Sequence, residues 1–251
     1  MKDIPDNSID MILTDPPWNT TDYEFEEVID IDFYNQCKRV LKNNGWFFCI
    51  APITLLSTIL NFGFRLKFEY IWVKPSIIPS TYNTKRPNTQ HEIIGCFIKN
   101  ELKKMSELYL DKDSLKTTGL PYKREIKSSD KVGHLQSTNR RLPTDKNGKK
   151  YDIIITNIGT RSPSTVIFYP NKNKLKFIER SEHPTQKPVN MLELFVRGYC
   201  HENGLVLDPF AGSGTTAIAC INTNRNYICI EKEPKYFEIM KNRITDATER
   251  D

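Results

Sequence analysis

No stretch of this 251-residue chain approaches the ~18 consecutive apolar residues of a membrane span. Its start, Met1-Lys2-Asp3-Ile4-Pro5, lacks the apolar core of a secretory signal. The six cysteines (Cys37, Cys49, Cys96, Cys200, Cys220, Cys229) are scattered with no CxxC pair, so reduced structural thiols are expected rather than a disulfide framework. The four histidines (His91, His134, His183, His201) show no metal-ligand spacing, and structural or surface roles are expected for them. There are no internal repeats. These absences point to a soluble cytoplasmic protein with no membrane or metal partner.

What is present is an ordinary globular composition, 38% hydrophobic and 11% aromatic, which excludes intrinsic disorder. The length suits one large domain, or a core with one appended module. The net charge of +5 conceals an asymmetry. Residues 1–35 carry ten acids against one base, whereas residues 99–150 carry fourteen Lys and Arg against seven acids. Such a basic block suggests a polyanion partner, although a solvated lysine-rich loop has the same composition.

Apolar spacing sketches the elements. A short strand at Ile9–Thr14 ends at Asp15-Pro16-Pro17, because proline cannot donate to a sheet. A helix is expected over Val28–Lys42, strands at Trp46–Ala51, Tyr70–Lys74 and Ile93–Lys99, and a helix at Leu55–Leu60. From Asn100 to about Lys150 the periodicity dissolves. Strands are expected again at Asp152–Thr156, Val166–Phe168, Leu205–Leu207 and Tyr227–Glu231, with helices at Pro188–Tyr199, Thr215–Ile221 and from Pro234 onward. This alternation predicts an α/β domain with a largely parallel sheet, interrupted by a polar, basic insertion.

The most informative segment is Val206-Leu207-Asp208-Pro209-Phe210-Ala211-Gly212-Ser213-Gly214-Thr215-Thr216. A strand enters a Gly-x-Gly turn that opens into a helix, the place where α/β proteins bring backbone amides close to a ligand. Glu231 follows Gly212 by 19 residues, the offset of an acid that accepts from ribose hydroxyls. No lysine follows the glycines, which excludes a triphosphate loop, and Ala217 stands where a dinucleotide fingerprint has its third glycine. Asp208 suits a cationic ligand better than a pyrophosphate, so S-adenosylmethionine fits; a tight turn with a coincidental downstream acid is the plainer alternative. Asp15-Pro16-Pro17-Trp18 also follows a strand and is expected on the same carboxyl rim. It presents a carboxylate, fixed carbonyls and an indole face, a set suited to an amino group on a flat heterocycle.

Together these residues resemble the amino-group DNA methyltransferases (adenine-N6 and cytosine-N4), in the permuted group whose catalytic tetrapeptide precedes the cofactor motif. Asp15-Pro16-Pro17-Trp18 resembles the catalytic motif; Ile71-Trp72-Val73-Lys74 and His91-Glu92-Ile93-Ile94 resemble middle strands. His183-Pro184-Thr185-Gln186-Lys187-Pro188 resembles the segment beside the methionine part of the cofactor, and 208–216 with Arg225…Ile230-Glu231 the cofactor motif and ribose acid. The resemblance implies a circularly permuted Rossmann-like sheet with helices on both faces, built from 1–99 and 160–251, with 100–159 as a target-recognition insertion. It also implies a site: Asp15, Pro16, Pro17 and Trp18 as catalytic residues, and Thr185, Gln186, Lys187, Asp208, Pro209, Phe210, Ala211, Gly212, Ser213, Gly214, Thr215 and Glu231 around S-adenosylmethionine. For Lys187 a plain cation at a helix start is equally open. In a DNA enzyme, Lys103, Lys104, Lys123, Arg124, Arg140, Arg141, Lys149 and Lys150 are expected to neutralise phosphates of double-stranded DNA.

One feature departs from the family pattern. Members usually begin with a strand ending in Gly-Asp near the cofactor's adenine, and no equivalent precedes Met1-Lys2-Asp3-Ile4-Pro5. The strand ending at Glu231 is therefore expected to carry an exposed edge. Asp at position 15 favours adenine by resemblance. Cytosine-N4 or RNA as substrate, and a weakly catalytic DNA-binding subunit, stay open beside the adenine enzyme. So do a homodimer, a partner subunit and a cognate restriction endonuclease.

Overall fold

Residues 9–14 are apolar toward both sides, which only a strand covered on both faces can accommodate. The computed structural model describes residues 1–18, 29–78, 89–118, 122–126, 153–157, 160–161, 163–170 and 181–249. In chain order these form β1 (Ile9–Thr14), α1 (Ile31–Val40), β2 (Leu41–Ile50), α2 (Ile53–Ile59), β3 (Phe64–Ile78) and β4 (Thr89–Lys99). Four short strands follow: β5 (Thr117–Thr118), β6 (Tyr122–Ile126), β7 (Ile153–Asn157) and β8 (Thr160–Arg161). The chain then forms β9 (Val166–Phe168), α3 (Val189–Tyr199), β10 (Leu205–Asp208), α4 (Thr215–Ile221), β11 (Asn226–Cys229) and α5 (Pro234–Thr248).

The chain divides into two units, Met1–Leu115 with Ser164–Asp251, and Lys116–Pro163. In the first, seven strands run in the order β11-β10-β1-β2-β4-β3-β9. β11, β10, β1 and β2 are parallel neighbours, β4 is antiparallel to β2 and β3, and β9 is parallel to β3. The carboxyl ends of the four parallel strands therefore open on one rim. β11 sits at the sheet edge among the described residues, where the sequence leads one to expect it.

Alternation along the strands makes two cores. Met11, Leu13, Trp46, Phe48 and Ile50 face one side, packed with Met191, Phe195 and Tyr199 of α3 and Ala219 and Cys220 of α4. Ile9, Ile12, Phe47 and Cys49 face the other, with Tyr34, Cys37 and Val40 of α1 and Leu56 and Ile59 of α2. Ile9 shares a face with Ile12 because the β1–β2 register shifts between Ile9 and Met11. Full burial of each such side chain contributes ~1.5–3 kcal/mol, against a few tenths for a surface pair such as Glu193–Arg197 on α3. Packing on the sheet, rather than helix surface pairing, holds these helices in place.

Several boundaries differ from the sequence expectation. The helix expected over Val28–Lys42 runs from Ile31 to Val40: Asp30 caps it, accepting from the Asp32 amide at 3.2 Å, and Leu41 turns extended to start β2. Val28 lies outside the described residues. β3 and β4 are longer than expected because their antiparallel pairing reaches Ile78↔Thr89. The strand expected at 227–231 ends at Cys229. In the second unit β6 pairs antiparallel with β7, and β5 with β8. The unit boundaries fall at Lys116 and Pro163, not at 100 and 159; Leu102 and Leu115 are buried in the first unit's core.

Candidate active site

β1 and β10 pair in the register Met11↔Val206 and Ile12↔Leu207, so Thr14 and Asp208 emerge side by side on the carboxyl rim. The Thr14 hydroxyl donates to Asp208 Oδ1 at 2.9 Å. Asp208 also accepts from the Thr216 hydroxyl at 2.5 Å and from the Phe210 amide at 3.2 Å. Its carboxylate thus ties strand, turn and helix together. Burial pushes its pKa up to about 6, the neutral donors pull it back, and the Glu231 charge adds to the rise.

Between Asp208 and α4 the backbone takes positive φ at Gly212 (51°) and Gly214 (76°), where a side chain is strained. Space forbids one as well. A Cβ on Gly212 would stand 2.9 Å from His183 Nε2, and one on Gly214 2.6 Å from Met240 Cγ of α5. Arg243 of α5 donates to the Ser213 carbonyl at 2.5 Å and to its hydroxyl at 3.0 Å. The turn is therefore held from both sides. Glu231 Oε2 accepts from the Gly212 amide at 2.7 Å, and Oε1 from the Glu233 amide at 2.9 Å, which fixes a half-exposed carboxylate over the turn.

One residue past Thr14, Asp15 begins the second corner. Pro16 and Pro17 leave the strand without further ladder donors, and the Trp18 indole donates to the Ile50 carbonyl at 3.1 Å. Trp18 is half-buried against both cores. Asp15 Oδ2 accepts from Lys187 Nζ. The same ammonium lies 3.7 Å from Glu92 Oε2 and 5.6 Å from the Trp18 ring centroid, and Glu92 Oε1 takes the Lys74 ammonium at 2.6 Å. Among the described residues Asp15 Oδ1 and Glu92 Oε2 are buried with no hydrogen-bond partner.

Burial pushes the Asp15 carboxyl up to about 6; Lys187 opposes that, while the Glu92 and Asp208 charges reinforce it. For Lys187, burial favours the neutral amine, but Asp15 and Glu92 outweigh it and hold the ammonium above its ordinary value. Glu92 is likewise resisted by burial and held below the usual carboxylate range by Lys187 and Lys74.

The structure thus brings Asp15–Trp18, His183–Lys187, the 208–215 turn and Glu231 to one rim. Within the 183–188 segment, His183 lies against Gly212, Gln186 accepts from the Ser181 amide at 2.6 Å, Thr185 is exposed, and Lys187 reaches Asp15. Lys187, grouped by resemblance with the cofactor side, has its ammonium in the acid–proline corner instead. Lys103 and Lys104 are exposed. Lys123 and Arg124 lie on β6, and Arg140, Arg141, Lys149 and Lys150 fall outside the described residues. Sequence reasoning passed over Glu92 and Lys74 as site residues. A charged residue directly beside a short apolar run in each of two middle strands, Lys74 after Ile71–Val73 and Glu92 before Ile93–Ile94, is the available signal.

A mixed, mostly parallel sheet with a glycine turn and an acid–proline corner on the same rim marks a Rossmann-like methyltransferase. Residues 9–242 match the DNA methylase family of N6 and N4 amino-methyltransferases, and the chain belongs to that family. It is 28% identical to the Type II methyltransferase M.HpaI of Haemophilus parainfluenzae, over 97% of this chain and 70% of that one. Across the first three curated relatives it spans 64–70% of their lengths. Among solved structures, the M1.HpyAVI–SAM complex superposes with TM-score 0.58 at 25% identity, covering 94% of this chain and 89% of that one. The PvuII cytosine-N4-specific DNA methyltransferase gives 0.61 at 18% identity, over 99% and 87%, a likeness of fold.

Proposed function

We propose that this chain methylates the exocyclic amino nitrogen of a base in double-stranded DNA, adenine N6 by preference, with S-adenosylmethionine as donor. The observation that carries the reading is the Thr14–Asp208 hydrogen bond, because it sets Asp15 and the glycine turn shoulder to shoulder on one rim. The residues present suit the donor. A Cβ at Gly212 or Gly214 would crowd its neighbours, Glu231 holds an oriented carboxylate 19 residues after Gly212, and Asp15, Asp208 and Glu231 raise a negative potential where a cation would lie. When bound, the donor supplies an electrophilic methyl group on a sulfonium.

The chain's own residues answer the remaining difficulty, an amino lone pair delocalised into the ring. Asp15 Oδ1, buried and without a partner among the described residues, accepts one amino hydrogen, and the Pro16 or Pro17 carbonyl accepts the other. Both contacts tighten as positive charge grows on nitrogen, so they favour the transition state over the ground state. The nitrogen lone pair forms the new N–C bond, the S–C electrons stay on sulfur, and the surplus proton leaves nitrogen for Asp15. The base must first leave the duplex, at a cost of about a few kcal/mol. The exposed Lys103 and Lys104 and the basic segment 116–163 supply phosphate contacts, so binding weakens steeply with salt.

The test is to incubate the purified chain with duplex DNA and the methyl donor, then resolve the nucleosides. N6-methyladenine is the expected product. N4-methylcytosine would move the base preference while keeping the chemistry, and no methylated nucleoside with donor and DNA both bound would refute the reading.

A further inference from the structure

Methyl transfer calls on Asp15 but gives no reason for two lysines and a glutamate to lie packed behind it. Asp15, Lys187, Glu92 and Lys74 alternate in sign along a line from the rim into the sheet. Only 9%, 13% and 5% of the Lys187, Glu92 and Lys74 side chains are exposed. Stability alone gives a weak reason for such a chain, since well-packed apolar side chains usually serve as well or better. Its placement gives another. Asp15 lies at the end of β1, Lys187 just before α3, Glu92 on β4 and Lys74 on β3, so the charge state of Asp15 is tied to the middle of the sheet through one ammonium. Thr185 offers that ammonium a carbonyl at 3.5 Å, and Asp208 is the further charge felt by Asp15.

We propose that Glu92, paired with Lys74 at 2.6 Å and facing Lys187 at 3.7 Å, is a positioning residue that acts on Asp15 through Lys187. It draws the ammonium toward the sheet so that Lys187 engages Oδ2 alone. Asp15 Oδ1 is thereby left aimed at the target amino group, and the carboxylate stays basic enough to take the proton released on methylation. Without Glu92, the ammonium is free to settle between both Asp15 oxygens and mask the acceptor. A displacement of that kind, about 1 Å at a reacting group, costs about 10²-fold in rate. The inference rests on the amino-methyltransferase reading and adds to it a named pair, Glu92 and Lys74, that never touches the base.

The experiment is single-turnover methyl transfer against pH for the wild type, Glu92→Gln, Lys74→Met and Asp15→Ala, with donor and DNA affinities and melting temperatures measured alongside. Glu92→Gln is expected to lower the plateau rate about 10- to 100-fold with both affinities within about threefold. Its acid limb should move to lower pH, because a like charge next to Asp15 is gone. Lys74→Met should move rate and limb the same way but less far, since Glu92 then has only the Lys187 ammonium, 3.7 Å from Oε2, to hold its charge against burial. The double variant should be no slower than Glu92→Gln alone. A purely structural role would lower the melting temperature and leave the limb in place, and that result in both folded variants overturns the proposal.

If neither variant folds, carboxyl-carbon NMR titration of the wild-type protein decides. Glu92 must stay ionised through the range in which Asp15 titrates, and the reverse order overturns the inference. Asp15→Ala separates the two levels. Wild-type turnover in that variant defeats the amino-methyltransferase reading itself. An inactive Asp15→Ala beside unaltered Glu92→Gln and Lys74→Met variants defeats only this inference.

Discussion

Asp15 and Asp208 sit at the ends of neighbouring strands, Asp208 buried and Asp15 half-buried, and desolvation pushes both up to about 6. Their partners differ in kind. Asp208 is bound by two hydroxyls and an amide, three neutral donors that belong to the strand, the turn and the helix it joins. Asp15 is bound through one oxygen by a single cation and keeps the other oxygen without a partner among the described residues. A saturated carboxylate is a fastener, while a half-satisfied one is an acceptor waiting for a hydrogen. On the proposed reading, the same residue type, one strand apart, serves architecture in one place and chemistry in the other.

The comparison is broken most sharply at Asp15. Asp15→Ala should reduce turnover by about 10²–10⁴-fold while donor affinity, measured by calorimetry, stays within about twofold. If donor affinity collapses and residual turnover is high, the roles assigned to the two acids are reversed. Asp208→Ala should do the opposite. Leaving the Thr14 and Thr216 hydroxyls and the Phe210 amide without their acceptor should cost about 1–3 kcal/mol in urea unfolding, with donor affinity falling before the rate of the bound enzyme does.

pH sharpens the contrast between activity and stability. A carboxyl whose folded value is raised binds its proton more tightly folded than unfolded. Between the unfolded value near 4 and the folded value of about 6, both acids therefore favour the folded state as pH falls. Turnover needs Asp15 ionised and should drop about tenfold per unit below pH 6. From pH 7 to pH 4 methyl transfer should fall while the melting temperature of the wild type rises relative to Asp208→Asn and to Asp15→Asn. That comparison sets aside carboxyls such as Asp10, Glu101 and Asp111, whose lowered values act the other way. A fall relative to Asp15→Asn would count against Asp15 as the acceptor. The smallest expected effect is Thr216→Val, about 1 kcal/mol by denaturant titration, because one neutral bond of three is removed from Asp208.

Much of this arrangement was legible in the sequence because it is local. The Gly-x-Gly turn, the Asp-Pro-Pro break and the helix at Thr215–Ile221 each declare themselves within a dozen residues, and the structure keeps them nearly where periodicity put them. The Lys74–Glu92 pair did not declare itself, since it depends on the register of β3 against β4, which opposes Trp72 to Glu92 and Val73 to His91. Hydrophobic pattern sets which face a residue takes, not which residue stands opposite on another strand. The end of α1 differs from the expected Lys42 for a related reason. Leu41 continues the helical spacing, yet pairing with Ile9 draws it into β2, and sheet packing overrides a marginal last turn. For the basic segment, Lys123 and Arg124 were visible as charge, but charge without periodicity specifies no fold.

The cysteines carry a practical consequence. Five of the six lie buried and Cys229 is half-buried, and burial pushes every one of these thiols well up. A neutral, enclosed sulfur reacts slowly with electrophiles or oxidants. Five enclosed sulfhydryls make the molecule its own tally of opening: beyond the single half-buried Cys229, a colorimetric alkylating or exchange reagent added to the native chain would register those copies that have come apart, with no dye, tag or engineered probe required.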